Sequence, residues 1–232
     1  MSNISKPLIY LASASPRRSA LLHQIGVAHH VWPLAVDEQV HAAEQPACYV
    51  QRLAGTKART LWAQLAEAAR LPVLAADTAV AIDKNILGKP RDEADGLRML
   101  ALLSGRTHEV YTAVALCRED ACDLALSVSE VTFRSLSQKE MSAYWHSGEP
   151  ADKAGAYAIQ GRAALYIEHI AGSYSGIMGL PLFETGRLLA AAGLHFTGQQ
   201  DCMDPQAPGP YRHAEPPGQT GNSRIATAEV RG

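Results

Sequence analysis

With 232 residues, 47% of them hydrophobic, the chain has material for one large α/β domain or two small ones and needs no covalent or metal staple to fold. Lys and Arg total 21 against 23 Asp and Glu, a formal net charge of -2, which argues against a global field for nucleic acid or an anionic membrane surface. Any anion site must therefore be local. The cysteines Cys48, Cys117, Cys122 and Cys202 form no CxxC pair and lack histidines at zinc-ligand spacing, so they are predicted to be structural thiols in a reducing compartment. No segment reaches the roughly twenty apolar residues that span a bilayer, and the run Leu8 to Ala12 is too short for a signal peptide. The expectation is a cytoplasmic protein.

Leu8 to Ala12 reads as a strand, and Ser15 with Pro16 opens a helix closed by Gly26 whose apolar face is Leu21, Leu22 and Ile25. Arg17 and Arg18 stand in its first turn, where the helix dipole favours carboxylates. Free backbone N–H groups, two guanidinium groups and the hydroxyls of Ser13 and Ser15 suit a phosphate there; a solvated basic turn is the plainer alternative. After an extended stretch, His30 to Ala35, come the paired acids Asp37 and Glu38. A long helix is predicted from Pro46, with Val50, Leu53, Ala54, Ala58, Leu61 and Leu65 at three- and four-residue spacing. Lys57 falls inside that stripe, either snorkelling past the core or aimed into a polar cleft.

The organising stretch is Val73 to Thr78: a short apolar run read as a buried strand that delivers Asp77 where the run gives out, the kind of strand end at which α/β proteins collect ligands. Taken alone, Asp77 reads first as a strand-terminal aspartate that accepts backbone hydrogen bonds. Ala79 to Ile82, a turn at Asp83-Lys84-Asn85 and the return Ile86 to Pro90 bring Lys89 toward the same cleft. Beyond lie a helix from Arg91 or Asp92 to Ser104-Gly105 and two long antiparallel strands, Thr107 to Cys117 and Leu124 to Phe133. A capping box at Ser137 to Glu140 opens a short helix. Gly148 to Tyr157 is a polar loop, Ala163 to Ile167 a strand, Tyr174 to Pro181 a glycine-bearing loop, and Leu182 to Ala192 the last helix. From Thr197 the composition turns to Pro, Gly, Gln and Thr, so residues 1–196 are expected to form the domain and 197–232 a disordered tail.

Six stretches in this order resemble the Maf family of nucleoside triphosphate pyrophosphatases, first discussed as septum-formation inhibitors: Leu11 to Arg18, Val36 to Glu38, Ala76 to Thr78, Leu87 to Pro90, Leu103 to His108 and Asp152 to Tyr157. The resemblance covers about Leu8 to Gly193, and Ala156 to Gly161 looks like the branch acting on dTTP and UTP rather than on 7-methyl-GTP. Ala158 and Ala79 stand where the family usually has glycine and valine. The resemblance implies an α/β fold with a single elongated mixed sheet flanked by helices, similar to inosine triphosphatases, with a nucleotide cleft between two lobes, and a homodimer. It further implies a housecleaning activity in which water attacks the α-phosphorus and releases a nucleoside monophosphate and pyrophosphate, with modified pyrimidine triphosphates as further candidate substrates. Arg17, Arg18, Lys57 and Lys89 would meet the triphosphate, with Ser13 as a neutral donor. Glu38 and Asp77 would hold Mg²⁺, with Mn²⁺ as a substitute, and Asp77 would accept the proton. Arg17, Thr78 and Gln160 would select the base, a glutamine amide being able to donate and accept at once. A non-catalytic regulator of division, binding nucleotide in the same cleft, is the rival from another class; it would not consume the nucleotide.

Overall fold

The computed structural model describes residues 8–119 and 121–196, so the expected tail at 197–232 lies outside the described residues. One mixed sheet carries the fold. Its strands are β1 (Ile9–Leu11), β2 (His29–Val31), β3 (Val73–Ile82), β4 (Asn85–Leu87), β5 (Thr107–Arg118), β6 (Ala121–Phe133) and β7 (Ile167–Ala171), in the order β2-β1-β3-β5-β6-β7 with β4 also on β3. β1 runs parallel to β2 and β3, while β3, β5, β6 and β7 are successively antiparallel. The helices are α1 (Pro16–Gln24), α2 (Pro46–Gln64), α3 (Glu93–Leu103), α4 (Gln138–Trp145), α5 (Tyr174–Met178) and α6 (Leu182–Ala191).

Two apolar layers follow from the alternation of side chains along β3. Leu74, Ala76, Val80 and Ile82 face the larger core, shared with α1, α3, α5 and α6 through residues such as Leu22, Leu100, Ile177 and Leu189. Val73, Ala75 and Ala79 face α2 with Ala113 and Ala115 of β5, against Ala54 and Ala58 of the helix. Alanine on both sides lets the helix lie close to the sheet.

Several expectations are corrected. β3 is a single strand of ten residues, so Asp77 sits in mid-strand and not at a strand end. Its apolar run is interrupted at Asp77-Thr78, but the pairing with β5 continues through Asp77↔Ala113 and Thr78↔Thr112. Residues Arg162–Tyr166 form a 3-10 turn before β7 instead of a strand, and Tyr174–Met178 is a helical turn capped by Ser173 instead of a loop. Cys117 and Cys122, expected as thiols, are joined in a disulfide, because the β5–β6 register places them directly opposite. The α3 cap at Asp92 and the Ser137–Glu140 capping box form where the residue types predict. Among the described residues no helix is long and apolar enough to cross a membrane.

Within the larger core, His108 stands edge-on to Phe133 and Tyr157, and its Nε2 shares a hydrogen bond of 2.8 Å with the Tyr157 hydroxyl. Its Nδ1 has no partner. Burial pushes the imidazole down to about 4 from its ordinary 6.5. Between those values the unfolded chain binds the proton first, so stability falls as pH drops through this window, by up to roughly 3 kcal/mol. Urea unfolding at pH 7 and at pH 4.5 is expected to show this loss in the wild-type protein and a much shallower dependence in His108→Gln. Equal slopes in the two proteins would remove His108 as the cause.

Candidate active site

The cleft exists because one edge of β3 is only partly covered. β5 takes one whole edge; on the other, β1 pairs with Val73 and Leu74, and β4 with Val80 to Ile82. Between them the strand is open, and Asp77 lies in the middle of the opening. A cleft of about 480 Å³ fills this gap, and its walls include Ser13, Arg17, Arg18, Glu38, Lys57, Asp77, Thr78, Lys89 and Gln160. α2 and the segment between β2 and α2 form one lobe around it; α1, α5 and the loop that follows α4 form the other.

Asp77 and Thr78 point to opposite faces of the sheet. Asp77, nearly buried, turns toward α2 and accepts a 2.7 Å bond from Lys57 Nζ. The same ammonium donates to Glu38 Oε1 at 2.6 Å. Lys57 is therefore the cation aimed into the cleft and does not snorkel to solvent; its side chain is only 9% exposed. Burial pushes the Asp77 carboxyl above its ordinary value, against the opposing charges of Lys57 and Arg18. Burial opposes ionisation of Glu38 as well, but there the hydrogen bond and charge of Lys57, with Lys89 and Arg18 behind it, prevail and hold the group below its ordinary value. Two carboxylates on one cation are thus tuned apart, the pattern of sites that divide acid–base roles between two groups.

Thr78 turns to the other face and shares a 2.9 Å bond with Thr112, whose hydroxyl donates to the Gly176 carbonyl at 2.8 Å. Arg18 braces this wall, donating to Gly179 O at 2.8 Å, Ser13 Oγ at 3.1 Å and Thr78 Oγ1 at 3.4 Å. Its guanidinium thus ties α1, β3 and the end of α5 together. Ser15 caps α1 by position only; its N–H donates to Ser13 Oγ at 3.1 Å. Lys89 is 65% exposed at the rim, with Nζ 3.9 Å from Glu38 Oε2. Gln160 is exposed and also lines the cleft.

Three lining residues, and one behind the lining, were not nominated for the site from the sequence. Tyr49 donates from its hydroxyl to the Glu38 carbonyl at 3.0 Å, and burial, with the charges of Asp77 and Glu38, pushes its phenol up to about 12. Lys153, only 15% exposed, pairs with Asp152 and adds a further cation to the cleft. Tyr157 closes the floor with its hydroxyl on His108. The loop that bears Gln160 hangs on Tyr144, whose hydroxyl donates to Glu149 at 2.7 Å and accepts the Ala158 N–H at 3.1 Å. Among such contacts, only motif membership pointed to Lys153 and Tyr157; the other two carried no signal in composition or period.

A mixed α/β fold with five basic residues and three carboxylates lining one cleft defines a site for a polyanionic ligand of the phosphate-chain type. The family model described as Maf-like protein matches residues 8–192, and the chain belongs to that family. A dTTP/UTP pyrophosphatase of Methylobacillus flagellatus is 52% identical over 199 residues, 86% of this chain and 100% of the relative. The enzyme of the same name from Alkalilimnicola ehrlichii is 54% identical over 188 residues, 79% of this chain and 92% of the relative. Among solved structures, a nucleoside-triphosphatase described as a dITP/XTP pyrophosphatase from Mycobacterium abscessus covers 79% of this chain and 93% of its own at 18% identity, with a TM-score of 0.37.

The geometry makes a prediction for Asp77→Asn. The amide keeps the shape but neither takes a proton nor binds a hard cation well, so turnover is expected to fall by about 10²-fold or more. Folding raises the pKa of Asp77, so ionised Asp77 costs stability at neutral pH, above the window of its shift. Lys57 retains Glu38 as a partner. The thermal midpoint of the variant is therefore expected to match or exceed that of the wild type, and near wild-type turnover would dismiss Asp77 from the chemistry.

Proposed function

We propose that this protein is a nucleoside triphosphate pyrophosphatase that hydrolyses dTTP and UTP to the monophosphate and pyrophosphate. The observation that carries the reading is the Asp77–Lys57–Glu38 cluster at the open edge of β3, in a chain half identical to relatives bearing that name. Arg17, Lys89 and Ser13 line the path for the phosphate chain. Asp77, buried on a strand and carrying a raised pKa, takes the proton of the water that attacks the α-phosphorus while the bond to the bridging oxygen breaks and pyrophosphate leaves. Lys57 fixes the carboxylate for that task.

A divalent cation suits the donor set. Among the described residues no three His, Cys, Asp or Glu side chains gather to hold a metal alone, but Mg²⁺ characteristically takes one or two carboxylates and completes its shell with water and substrate phosphates. Glu38 and Asp77 each commit one oxygen to Lys57 and retain a second. Bound there, Mg²⁺ or Mn²⁺ would neutralise phosphate charge and acidify its water. Thr78, Arg17 and Gln160 are the proposed base-selecting residues; Thr78 is fixed by Thr112, whereas Gln160 is exposed and must be covered by the base itself to discriminate. A homodimer, as the family resemblance implies, completes the reading; the near-balanced charge speaks against nucleic acid or an anionic membrane as partner, and the cytoplasm is the proposed location.

Pyrophosphate release over many turnovers tests the proposal, since a regulator that merely binds nucleotide would release none. dTTP and UTP are expected to exceed ATP and GTP at least tenfold in kcat/KM, a wrong base leaving buried polar groups unpaired at about 1 to 3 kcal/mol each. Gln160→Ala should narrow that gap, and Lys89→Ala should depress all four nucleotides together. If 7-methyl-GTP is the best substrate, the pyrimidine assignment fails and the pyrophosphatase reading stands.

A further inference from the structure

Glu38 lies in the segment between β2 and α2, residues 32–45, which contains neither helix nor strand. Segments of this length without regular structure are uncommon in compact domains and are held in place only for a reason. Hydrophobic burial does not hold this one. Leu34 and Val36 are half-buried, Val40 is 49% exposed, and the remaining side chains are exposed except for Glu44. A carboxylate that must meet a cation and a phosphate chain at fixed distance is thus carried on chain with almost no core of its own.

What holds it is one face of α2. Arg52 donates from Nη2 to the Gln39 carbonyl at 2.9 Å, next to Glu38, and forks onto Glu44 through Nε and Nη2, each at 2.7 Å. The Tyr49 hydroxyl donates to the Glu38 carbonyl itself at 3.0 Å. Glu44 accepts the His41 N–H at 3.0 Å and closes a turn in which Ala43 sits at φ 57, a left-handed conformation that alanine adopts only under constraint. Lys57, two turns further along the helix, holds the Glu38 side chain. The helix therefore grips both the backbone and the carboxylate of the same residue, from side chains at fixed spacing on a rigid rod.

The geometry points to Arg52 as a positioning residue for Glu38: with Glu44 as its orienting partner and Tyr49 beside it, it clamps residues 38–44 so that the Glu38 carboxylate faces Asp77 and the cleft. Arg52 does not line the cleft and touches no substrate; it acts through the loop backbone. The inference deepens the pyrophosphatase reading and rests on it for the role of Glu38, but the clamp itself is independent of that reading.

The test uses the full chain and two readouts. Hydrogen exchange followed by mass spectrometry should show faster exchange across residues 38–45 in Arg52→Ala, with the sheet unaffected and the thermal midpoint little changed. With dTTP and Mg²⁺, the same variant should lose about 10- to 100-fold in kcat, the usual cost of removing a group that orients a ligand, and need more Mg²⁺ for half-maximal rate. Arg52→Lys, able to reach one acceptor at a time, should recover part of the loss, and Tyr49→Phe should show a smaller one. Because Arg52 works through Glu38, adding Arg52→Ala to Glu38→Gln should cost nothing further. Unchanged exchange in the segment, a wild-type kcat in Arg52→Ala, or additive losses in the double variant would overturn the proposal. If the wild-type protein releases no pyrophosphate, the pyrophosphatase reading fails instead, and the exchange result alone decides the clamp.

Discussion

The bond from Lys57 to Asp77 and Glu38 is the constraint around which the site is arranged. A buried ammonium is tolerable only with partners, and a buried carboxylate likewise, so each of the three groups makes the others' position possible. The surroundings follow from that need. Alanines at 54, 58, 75, 79, 113 and 115 bring α2 close enough to the sheet for a lysine on its apolar face to reach the strand. The opening between β1 and β4 then gives the cluster access to solvent on one side only. Both features place charge where a polyanion can enter.

Burial acts on the two carboxylates unequally, and this reconciles two demands on Asp77. A metal ligand favours ionisation, whereas a proton acceptor near neutrality benefits from a raised pKa. Asp77, deep on β3, has the raised value; Glu38, on an exposed segment with Lys57 and Lys89 close by, has the lowered one. The chain thus gives the stronger acid to the irregular segment and the stronger base to the strand. The two basic residues that oppose the α1 dipole are explained in a similar way: both stand on the cleft wall, and Arg18 also braces it through Ser13, Thr78 and Gly179.

Much of this was legible in order of residues. Period and capping located α2, α3 and α4, because Pro46, Asp92 and the Ser137–Glu140 pair are local signals that the fold leaves intact. Every residue nominated for the site lies on one cleft. What escaped was whatever depends on register between distant elements. The course of β3 through Asp77 is decided by β5, thirty-odd residues on; the disulfide depends on which residues of a hairpin face one another; the direction of Lys57 depends on where α2 rests. Short helical turns at Arg162–Tyr166 and Tyr174–Met178 have too few residues to show a period. Arg52 and Tyr49 gave no sign, since they reach the segment through the backbone carbonyls of Gln39 and Glu38, which no side-chain pattern reports, and Glu44, the other partner of Arg52, lies outside the helix.

Asp77 and Thr78 are neighbours in the chain and occupy opposite faces of the sheet. A strand alternates strictly, so a change of one residue anywhere between β1's pairing and this point would exchange the two faces: a loss would bring the threonine to Lys57 and send the carboxylate to the place of Ala76 in the larger core, and a gain would bring the carboxylate to Thr112 and Arg18. Lineages descended from such a chain can therefore diversify at Thr78 by replacement, leaving the chemistry in place, but cannot alter the length of β3. The irregular segment that bears Glu38 has no such parity. A change of length is accordingly tolerated there only outside the clamped residues 38–44 and is barred from the strand, and the boundary between the two regimes runs through the middle of the cleft.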